Sequence, residues 1–512
     1  MISYGRFPWK LFGVALFLRA FNLFLVQSQY VPDEYWQSVE VAHRRVFGYG
    51  HLTWEWSKAI RSSLYVTVIS GLYRLLAFLD LDLPQALIFA PRILQGVLSA
   101  LADVYFVRWV HEKRSGQYSW AFISWMTCYF VWYCSTRTLV NTFEMNLTAI
   151  ALYHFPWTPK TDSTVFVTLV TLLVFVRPTA SVIWLPLVLI NVAGASKPIL
   201  HILRVYVPVG IVVGSTCVAL DSYFYDRIVI TPWNFFKMNV LENIGEFYGS
   251  HSAVWFFYCG VPVVLGIHTL PFYYASVRTL LDLSHVKRKL MYDVETQMVV
   301  TVFWSLIVFS FIAHKEFRFL LPLVPMMLYI SSTVWSKWSV NAKLWHIYSV
   351  GFLLITANFC AVLFLGQFHK AGGLDTMKFL REDLEGSDNS KLLFLTPCHS
   401  LPLYSHLHKN VSTRFLTCEP NFTHDAAYID EAELFYKNST AWLRREYPAS
   451  GRDALPTCSL PTHIIAYNSL NITNFLHSRN YSLAKSFFDS YVFTERTGSN
   501  LNVYKRKGPY CA

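Results

Sequence analysis

Long apolar runs separated by short polar segments fill the chain from residue 8 to residue 366. A helix needs about 20 apolar residues to cross a bilayer, and most of these runs reach or approach that length. The pattern predicts an all-α polytopic membrane protein with eleven crossings. The predicted crossings are residues 8–26, 88–110, 118–134, 143–155, 162–176, 180–195, 203–222, 253–276, 297–313, 319–336 and 345–366.

Residues 64–79 form one further apolar run, which this count leaves out. The run carries Arg74 and has an amphipathic pattern, which is typical of a helix lying on a membrane surface. With this choice, basic loops follow even-numbered crossings, as the positive-inside rule expects of cytosolic loops. These basic loops are residues 111–116, 196–204, 286–289 and 336–343. The N-terminus is then cytosolic, and the chain after the last crossing is lumenal.

The composition changes near residue 367. The residues after this point carry dispersed charge and prolines. Residues 391–397 and 462–467 show the alternation of side chains that is typical of β-strands. Two domains are therefore predicted. The first is a transmembrane domain, residues 1–366, with long lumenal loops at 28–87 and 221–252. The second is a lumenal α/β domain, residues 367–512.

The C-terminal residues also carry signals of an oxidising, glycosylating compartment. Five Asn-x-Ser/Thr sequons lie close together, and their acceptors are Asn410, Asn421, Asn438, Asn471 and Asn480. Four cysteines occur in the same region, at positions 398, 418, 458 and 511. Four cysteines allow two disulfides in three possible connectivities, and the sequence does not choose among them.

Charge and motifs exclude several functional classes. The formal net charge of +11 would suggest nucleic-acid binding in a soluble protein, but here the cations lie in short loops between apolar runs. A nucleic-acid partner is therefore not expected. The chain contains no HExxH, CxxC, P-loop or GxSxG motif. No metal site and no cofactor are predicted.

The first lumenal loop has unusual chemistry for a connection between membrane helices. Residues 28–62 contain four carboxylates, two histidines and three tryptophans. If Pro32 opens a helix, Asp33, Gln37 and Glu40 lie on one face of it. The helix dipole favours the ionised form of a carboxylate in the first turn. Asp33 and its neighbour Glu34 are therefore candidates for a general base.

Further polar segments lie on the same predicted face of the membrane, at 136–144, 177–178, 221–252 and 314–319. Charge near a bilayer is costly unless it is paired or functional. A carboxylate base together with cations at a membrane surface suggests group transfer from a lipid-linked phosphate donor. The candidate phosphate-binding residues are Arg137, Arg177, His314, Lys315 and Arg318.

Several of these segments together resemble a known family. VPDEYWQSVEVAHRRVFGYGHLTWEW (31–56), TRTLVNTFE (136–144) and HKEFRFLLPLVP (314–325) are similar to segments of the lumenal mannosyltransferases of GPI and N-glycan assembly, glycosyltransferase family 22. NFFKMNVLENIGEFYGSH (234–251), TPCHSLPLYSHLH (396–408) and DEAELFYKNSTAWL (430–443) extend the likeness. PDEYWQSVEVAH and FYGSH look most like the member that adds the third mannose of the GPI anchor.

The resemblance implies a GT-C architecture in the endoplasmic reticulum membrane, with dolichyl-phosphate-mannose as the donor and the two-mannose GPI precursor as the acceptor. A β-linked donor and an α-1,2 product imply inversion in a single displacement that needs one base. That base is expected to be Asp33, with Glu34 as the alternate. The residues expected to bind substrate are Gln37, Glu40, His43, Trp54, Glu55, Trp56, Glu144, Tyr248 and His251.

Two alternatives remain at the level of sequence. A sister mannosyltransferase, adding the fourth GPI mannose or building the N-glycan precursor, would share the donor and the motifs. A non-catalytic transporter or scaffold would place charges near the bilayer midplane. Arg19, Arg92 and Asp103 lie within predicted crossings, and they are expected to pair between helices.

Overall fold

The computed structural model describes residues 7–113, 118–158, 164–282, 284–386, 389–423, 425, 427–448 and 459–507. These residues form two compact units, each assembled from segments that are distant in sequence. The helical unit contains the described residues of Met1–Phe24, Glu55–Val68 and Pro91–Val362. The sheet unit contains those of Leu25–Trp54, Ile69–Ala90 and Leu363–Ala512.

Apolar helices dominate the chain up to residue 363. The α-helices are Trp9–Leu25, Glu40–Phe47, Trp54–Ser57, Leu64–Phe78, Pro84–Lys113, Tyr118–Thr127, Tyr129–Ser135, Val140–His154, Thr164–Val176, Ala180–Gly194, Pro198–His201, Val207–Tyr225, Thr231–Phe236, Val261–Leu265, Thr269–Leu281, Val286–Tyr292, Val294–Ser310, Val324–Asn341 and Leu344–Leu363. Turns of π-helix are Tyr35–Val39, Ile202–Tyr206, Lys237–Leu241, Phe256–Gly260 and Phe364–Phe368, and the 3₁₀-helices are Ile244–Tyr248, Gly266–His268 and Phe317–Leu323.

Five helical stretches of the described chain are long and apolar enough to cross a membrane, which makes the chain a multi-pass membrane protein. They are Pro84–Lys113, Pro198–Tyr225, Phe256–Leu281, Phe317–Asn341 and Leu344–Asp383. Shorter apolar helices occupy other predicted crossings, such as Thr164–Val176 and Val294–Ser310. The total of eleven crossings remains a prediction.

In two predicted crossings the α-helix is interrupted. The causes are local backbone conformations, which hydropathy does not indicate. The 118–134 run breaks at Cys128, whose ψ of 114° is not helical. The Asn358 side chain accepts a hydrogen bond from the N–H of Tyr129 there, at 3.0 Å. In the 253–276 run the α-helix Val261–Leu265 ends at Gly266, whose φ of 55° is easily reached only without a side chain.

A buried ion pair joins two helices of the helical unit. Arg19 Nη2 lies 2.7 Å from Asp103 Oδ1, and both side chains are almost fully buried. Trp125 Nε1 also donates to Asp103, at 2.7 Å. Buried charges are tolerated when they are paired and hydrogen-bonded, and this arrangement confirms the expected pairing of Arg19 and Asp103.

The sheet unit contains a mixed five-stranded sheet in the order β2-β1-β3-β5-β4. The strands are β1 Lys391–Leu395, β2 Ser412–Phe415, β3 His463–Tyr467, β4 Tyr481–Phe488 and β5 Asn500–Arg506. β1 is parallel to β2 and β3, while β5 is antiparallel to β3 and β4. The alternation at 391–397 and 462–467 therefore predicted β1 and β3 correctly.

Short helices cover the sheet and complete its core. They are Gly372–Asp383, Tyr404–Leu407, Glu431–Lys437, Ser439–Glu446 and Thr473–Ser478. Leu393 and Ile464 of the central strands pack in one buried cluster with Phe435 and Trp442. Cys398 and Cys418 form a disulfide, while the other two C-terminal cysteines, Cys458 and Cys511, lie outside the described residues.

Residues 28–54, most of the predicted first lumenal loop, belong to the sheet unit together with the segment after residue 363. Its backbone is bonded to the segment that follows the last long apolar helix. Gln27 N donates to Gly366 O at 2.7 Å, and Gln29 N donates to Lys370 O at 2.9 Å. A Cβ added to Gly366 would lie 2.4 Å from Leu25 O, so the close approach of these two backbones requires glycine.

Candidate active site

The predicted base lies at the start of a helix in the sheet unit. The N–H groups of Tyr35 and Trp36 donate to the carbonyl of Pro32 at 3.0 and 3.1 Å, so the helix begins where the proline predicted. Gln37 Nε2 donates to Asp33 Oδ2, which confirms their predicted common face. Asp33 is half-buried, while Glu34 is only 3% exposed. Asp33 thus retains the accessible surface that a base for a substrate hydroxyl needs.

His399 is a neighbour of this segment that the sequence analysis did not select. Its ring lies 4.6 Å from that of Trp36, and its φ of 58° is unusual for a residue with a side chain. Burial lowers the pKa of His399 to about 4, while the charge of Asp33 acts in the opposite direction. Strained residues often mark functional sites. The sequence signal for His399 is the segment TPCHS (396–400), which belongs to one of the segments that carry the family resemblance.

The sulfur atoms beside His399 are covalently joined. Cys398, His399 and Cys418 place three potential metal-ligand atoms within 4.8 Å of one another. The disulfide between the two cysteines removes their thiolates, which are the species that bind metal. This cluster therefore suits a structural disulfide better than a metal ion.

Glu40 is buried in the sheet unit and binds the start of a short helix. Oε1 accepts hydrogen bonds from the N–H groups of Leu403 and Ser405, at 2.7 and 3.1 Å, and from the Ser405 hydroxyl, at 2.5 Å. Oε2 accepts from the N–H of Tyr404 at 3.1 Å. The predicted substrate-binding residue is therefore engaged by four protein donors in this structure, which is the arrangement of a helix cap.

His43 is also enclosed by the sheet unit. Its Nε2 lies 3.0 Å from Nδ1 of His408, whose own Nε2 lies 3.7 Å from Asp82 Oδ2. The His43 side chain is fully buried, and this burial lowers its pKa to about 3. His43 is therefore neutral at physiological pH, as a buried imidazole without an adjacent carboxylate should be.

The TWEW segment crosses from one unit to the other. Trp54 belongs to the sheet unit, where its ring lies 5.3 Å from that of Phe422. Glu55 belongs to the helical unit and forms an ion pair with Arg61, with an Oε1–Nη2 distance of 2.5 Å. The charge of Glu55 is thus already balanced by a residue six positions along the chain.

Trp56 connects this segment to the second long loop. Its ring stacks on that of Tyr225, with centroids 6.4 Å apart. Nearby, Asp221 is buried and accepts from the N–H and hydroxyl of Ser63, at 2.6 and 2.7 Å, and from the Thr231 hydroxyl, at 2.7 Å. Asp221 was not selected from the sequence. Its contacts fix the geometry of both loops.

A single carboxylate organises the HKEFRF segment of the helical unit. Glu316 Oε1 lies 2.9 Å from Nε2 of His314, and Glu316 Oε2 accepts from Nε of Arg318 at 2.7 Å. Arg318 Nη2 also donates to Oε1, so the guanidinium binds both oxygens. Burial alone would raise the pKa of Glu316, but Arg318 and His314 keep that pKa well below its usual range. The sequence indicated His314 and Arg318 as phosphate-binding candidates, but Glu316, which orients both, was not predicted.

Lys315 and the 248–251 residues lie beside this carboxylate. Lys315 Nζ donates to the carbonyls of Ile312 and His251, at 2.6 and 3.1 Å. His314 Nδ1 lies 3.3 Å from Gly249 O, and the rings of Tyr248 and His314 are 6.5 Å apart. The structure therefore brings together the predicted donor residues of 314–318 and the predicted substrate residues of 248–251.

Arg137 and Arg177 are buried in the helical unit with partners of their own. Arg137 Nε donates to Tyr133 O at 2.8 Å, and its guanidinium lies 4.2 Å above the Tyr133 ring. Arg177 Nε lies 3.0 Å from Glu144 Oε2. The helix that carries Glu144, Val140–His154, packs against the 3₁₀-helix Phe317–Leu323. This packing puts the element that bears Arg318 beside the one that bears Glu144.

Solved structures with a similar fold include ArnT from Cupriavidus metallidurans bound to undecaprenyl phosphate. The two chains share 9% sequence identity, with a TM-score of 0.53 over 98% of each. The apo state of the same protein matches with a TM-score of 0.53 over 97% of each chain. At this identity the likeness concerns the fold alone, and it confirms the predicted GT-C architecture.

Curated relatives match at much higher identity. GPI mannosyltransferase 3 of Drosophila melanogaster is 41% identical over 92% of this chain and 82% of its own length. GPI alpha-1,2-mannosyltransferase 3 of Mus musculus is 38% identical over 98% and 89%, and that of Homo sapiens is 38% identical over 97% and 86%. The model of the Alg9-like mannosyltransferase family matches residues 10–408. The chain therefore belongs to the Alg9-like mannosyltransferase family and is a glycosyltransferase.

Proposed function

We propose that the chain moves mannose from dolichyl-phosphate-mannose to the second mannose of the GPI-anchor precursor, making an α-1,2 linkage with inversion. The observation that supports this step most directly is the identity of 38–41% with relatives named for it, over more than nine-tenths of the chain. The acceptor distinguishes this activity from that of the sister mannosyltransferases.

The proposed location is the lumenal side of the endoplasmic reticulum membrane. The sequon residues Asn410, Asn438, Asn471 and Asn480 are exposed, and Asn421 is half-buried, so oligosaccharide can be accommodated at the surface. The disulfide between Cys398 and Cys418 favours an oxidising compartment. These features support a lumenal sheet unit.

Asp33 is the proposed general base. It accepts the proton of the acceptor hydroxyl while the hydroxyl oxygen attacks the anomeric carbon of the donor. The bond between that carbon and the phosphate oxygen breaks, and dolichyl phosphate leaves. The half-buried position of Asp33 and its hydrogen bond with Gln37 support this role, because the amide holds the carboxylate in one orientation. Glu34, at 3% exposure, is the less accessible alternate.

Cations of the helical unit are proposed to stabilise the departing phosphate. Arg318 and His314 are the first candidates, since Glu316 holds both in place, with distances of 2.7 and 2.9 Å. Lys315, Arg137 and Arg177 complete the proposed donor set. A guanidinium can bind two phosphate oxygens and a lysine cannot, so Arg318→Lys should also weaken donor use.

Asp33→Asn tests the proposal. The change keeps the shape of the side chain and removes its charge, and loss of a general base typically lowers the rate by about 10²–10⁴. Microsomes that contain only this variant, given labelled dolichyl-phosphate-mannose, should accumulate the two-mannose GPI intermediate. Accumulation of a three-mannose GPI intermediate or of an N-glycan precursor would instead identify a sister enzyme.

Asp80→Asn is the matched control. Asp80 is exposed and has a φ of 54°, a conformation that asparagine tolerates well, so this variant should remain active. Glu34→Gln should be assayed in parallel. If it is inactive while Asp33→Asn is active, the two roles are exchanged. If both variants keep normal activity, the proposed base is wrong.

A further inference from the structure

The connection between β4 and β5 exposes a short run of apolar side chains. Tyr491, Val492 and Phe493 are 66%, 74% and 55% exposed. Their neighbours Ser490 and Thr494 carry no charge, so the tip of the connection is uncharged over five residues. A contiguous apolar group of this kind on a protein surface is typical of an interaction site.

The base of this connection is well fixed. Asp489 is buried, its N–H donates to Ser499 O at 2.7 Å, and its Oδ2 accepts from the Tyr467 hydroxyl at 3.2 Å. The Ser490 hydroxyl accepts from the N–H of Val492 at 3.1 Å. The apolar side chains therefore project from an ordered turn, and their exposure is a property of the fold.

The same base contacts the residues that follow a long apolar helix. Helix Leu344–Leu363, part of a stretch able to cross a membrane, continues into the π-turn Phe364–Phe368. The rings of Phe364 and Tyr491 are stacked, with centroids 6.4 Å apart. Lys370 N donates to Asp489 O at 2.7 Å. The apolar tip thus lies next to the residues at which this helix ends.

Gly372 allows the backbone after the helix to approach the end of β4 closely. A Cβ added to Gly372 would lie 2.7 Å from Phe488 O, which no side chain permits. Backbone therefore packs directly on backbone where β4 ends. This contact fixes the base of the tip against the start of helix Gly372–Asp383 in the same unit.

We propose that Tyr491, Val492 and Phe493 insert into the bilayer that helix Leu344–Leu363 crosses, at the boundary between headgroups and acyl chains. The partner is lipid, because the apolar surface is continuous with Phe364 and Phe368, which are also exposed at the end of that helix. Tyrosine is enriched at this depth of a membrane, and the absence of charge at the tip removes the main cost of insertion.

This insertion goes beyond the proposed mannosyl transfer and does not depend on it. The tip would give the sheet unit an attachment to the membrane besides the apolar helices that lead into its three segments. A lipid-linked substrate in the same leaflet would then meet the unit in a fixed orientation.

Photocrosslinking in proteoliposomes tests the proposal on the full chain. The photoreactive residue p-benzoylphenylalanine is placed at Phe493 and, as the matched control, at Leu434, an exposed position on helix Glu431–Lys437 of the same unit. After irradiation in phosphatidylcholine vesicles, phospholipid adducts should be at least about tenfold more frequent at position 493. Equal frequencies, or adducts of position 493 with protein in place of lipid, overturn the proposal.

Thiol labelling provides a second readout that needs no bulky substitution. Val492→Cys should react at least about tenfold more slowly with a charged maleimide than Leu434→Cys, because a lipid environment disfavours the thiolate. The parent chain gives the background from its native cysteines. Rapid labelling at position 492, equal to that at position 434, means that the tip lies in water and contradicts membrane insertion.

Discussion

Replacing Glu40 by glutamine should destabilise the sheet unit while leaving the size of the side chain unchanged. The carboxylate accepts four hydrogen bonds, three of them from consecutive main-chain N–H groups of residues 403–405. An amide has one acceptor oxygen and one NH₂ group. In Glu40→Gln, the oxygen can replace Oε1, and the NH₂ then faces the N–H of Tyr404, so that this buried donor loses its partner.

The magnitude follows from these contacts. An orphaned buried donor costs about 1–3 kcal/mol, and three bonds that change from a charged to a neutral acceptor weaken by about 1 kcal/mol each. Desolvation, which raises the pKa of Glu40, offsets part of this loss, because the amide carries no charge to dehydrate. We expect a net loss of about 3 kcal/mol, which lowers the unfolding midpoint by roughly 6–12 °C for a unit of this size.

Thermal unfolding of the purified chain in detergent measures this loss, with two variants for comparison. Glu382→Gln removes the same charge at an exposed position and should leave the midpoint unchanged. Ser405→Ala removes the hydroxyl, which bonds Glu40 and lies 2.9 Å from His406 Nδ1, and should cost about 1 kcal/mol. A Glu40→Gln midpoint within about 2 °C of the parent would refute the assignment of Glu40 as the anchor of this helix.

Three further predictions concern stability. Burial lowers the pKa of His43 to about 3, below its unfolded value, so the stability that His43 contributes is present above about pH 6.5 and is lost as pH falls towards 3. His399 shows a shift in the same direction, so denaturant titration of His43→Gln should reduce the loss of stability between pH 7.5 and pH 5 by about 2 kcal/mol without removing it. Replacing both Cys398 and Cys418 by serine opens a disulfide across 20 residues, and the same titration should show a loss of about 3 kcal/mol. Gly366→Ala should lower the unfolding midpoint, because its Cβ would lie 2.4 Å from a backbone carbonyl oxygen, whereas Gly351→Ala, with no neighbour within 4 Å, should not.

Local patterns were sufficient to predict most of the secondary structure. Apolar runs such as 162–176 and 180–195 correspond to helices within one or two residues of the predicted bounds, and 391–397 contains a strand. These elements depend on short-range periodicity, which the sequence displays directly. The broken runs at Cys128 and Gly266 depend on a distant side-chain cap and on a left-handed residue, neither of which hydropathy measures.

Residue types indicate candidate chemistry, but they do not indicate the partners of each residue. The positions of Asp33, His314 and Arg318 followed from their type and their place in the chain. That Glu40 binds residues 403–405 could not be predicted, because more than 360 residues separate the partners in sequence. Glu316 was missed for a different reason. A phosphate site favours cations, and Glu316 is an anion; its place between two cations, in the spacing His-x-Glu-x-Arg, is the signal that indicates an orienting group.

The discontinuity of the sheet unit has a consequence for biosynthesis. Its first segment ends at Trp54 and its last begins at Leu363, so about 300 residues must be made before the two can meet. At about 5–20 residues per second, the ribosome needs roughly 15–60 s for that length. Throughout this interval the segment bearing Asp33 lacks the partners that bury Glu40 and His43. A nascent or truncated chain therefore presents an unfinished, chaperone-accessible loop, and the proposed base takes up its final position only when translation is nearly complete.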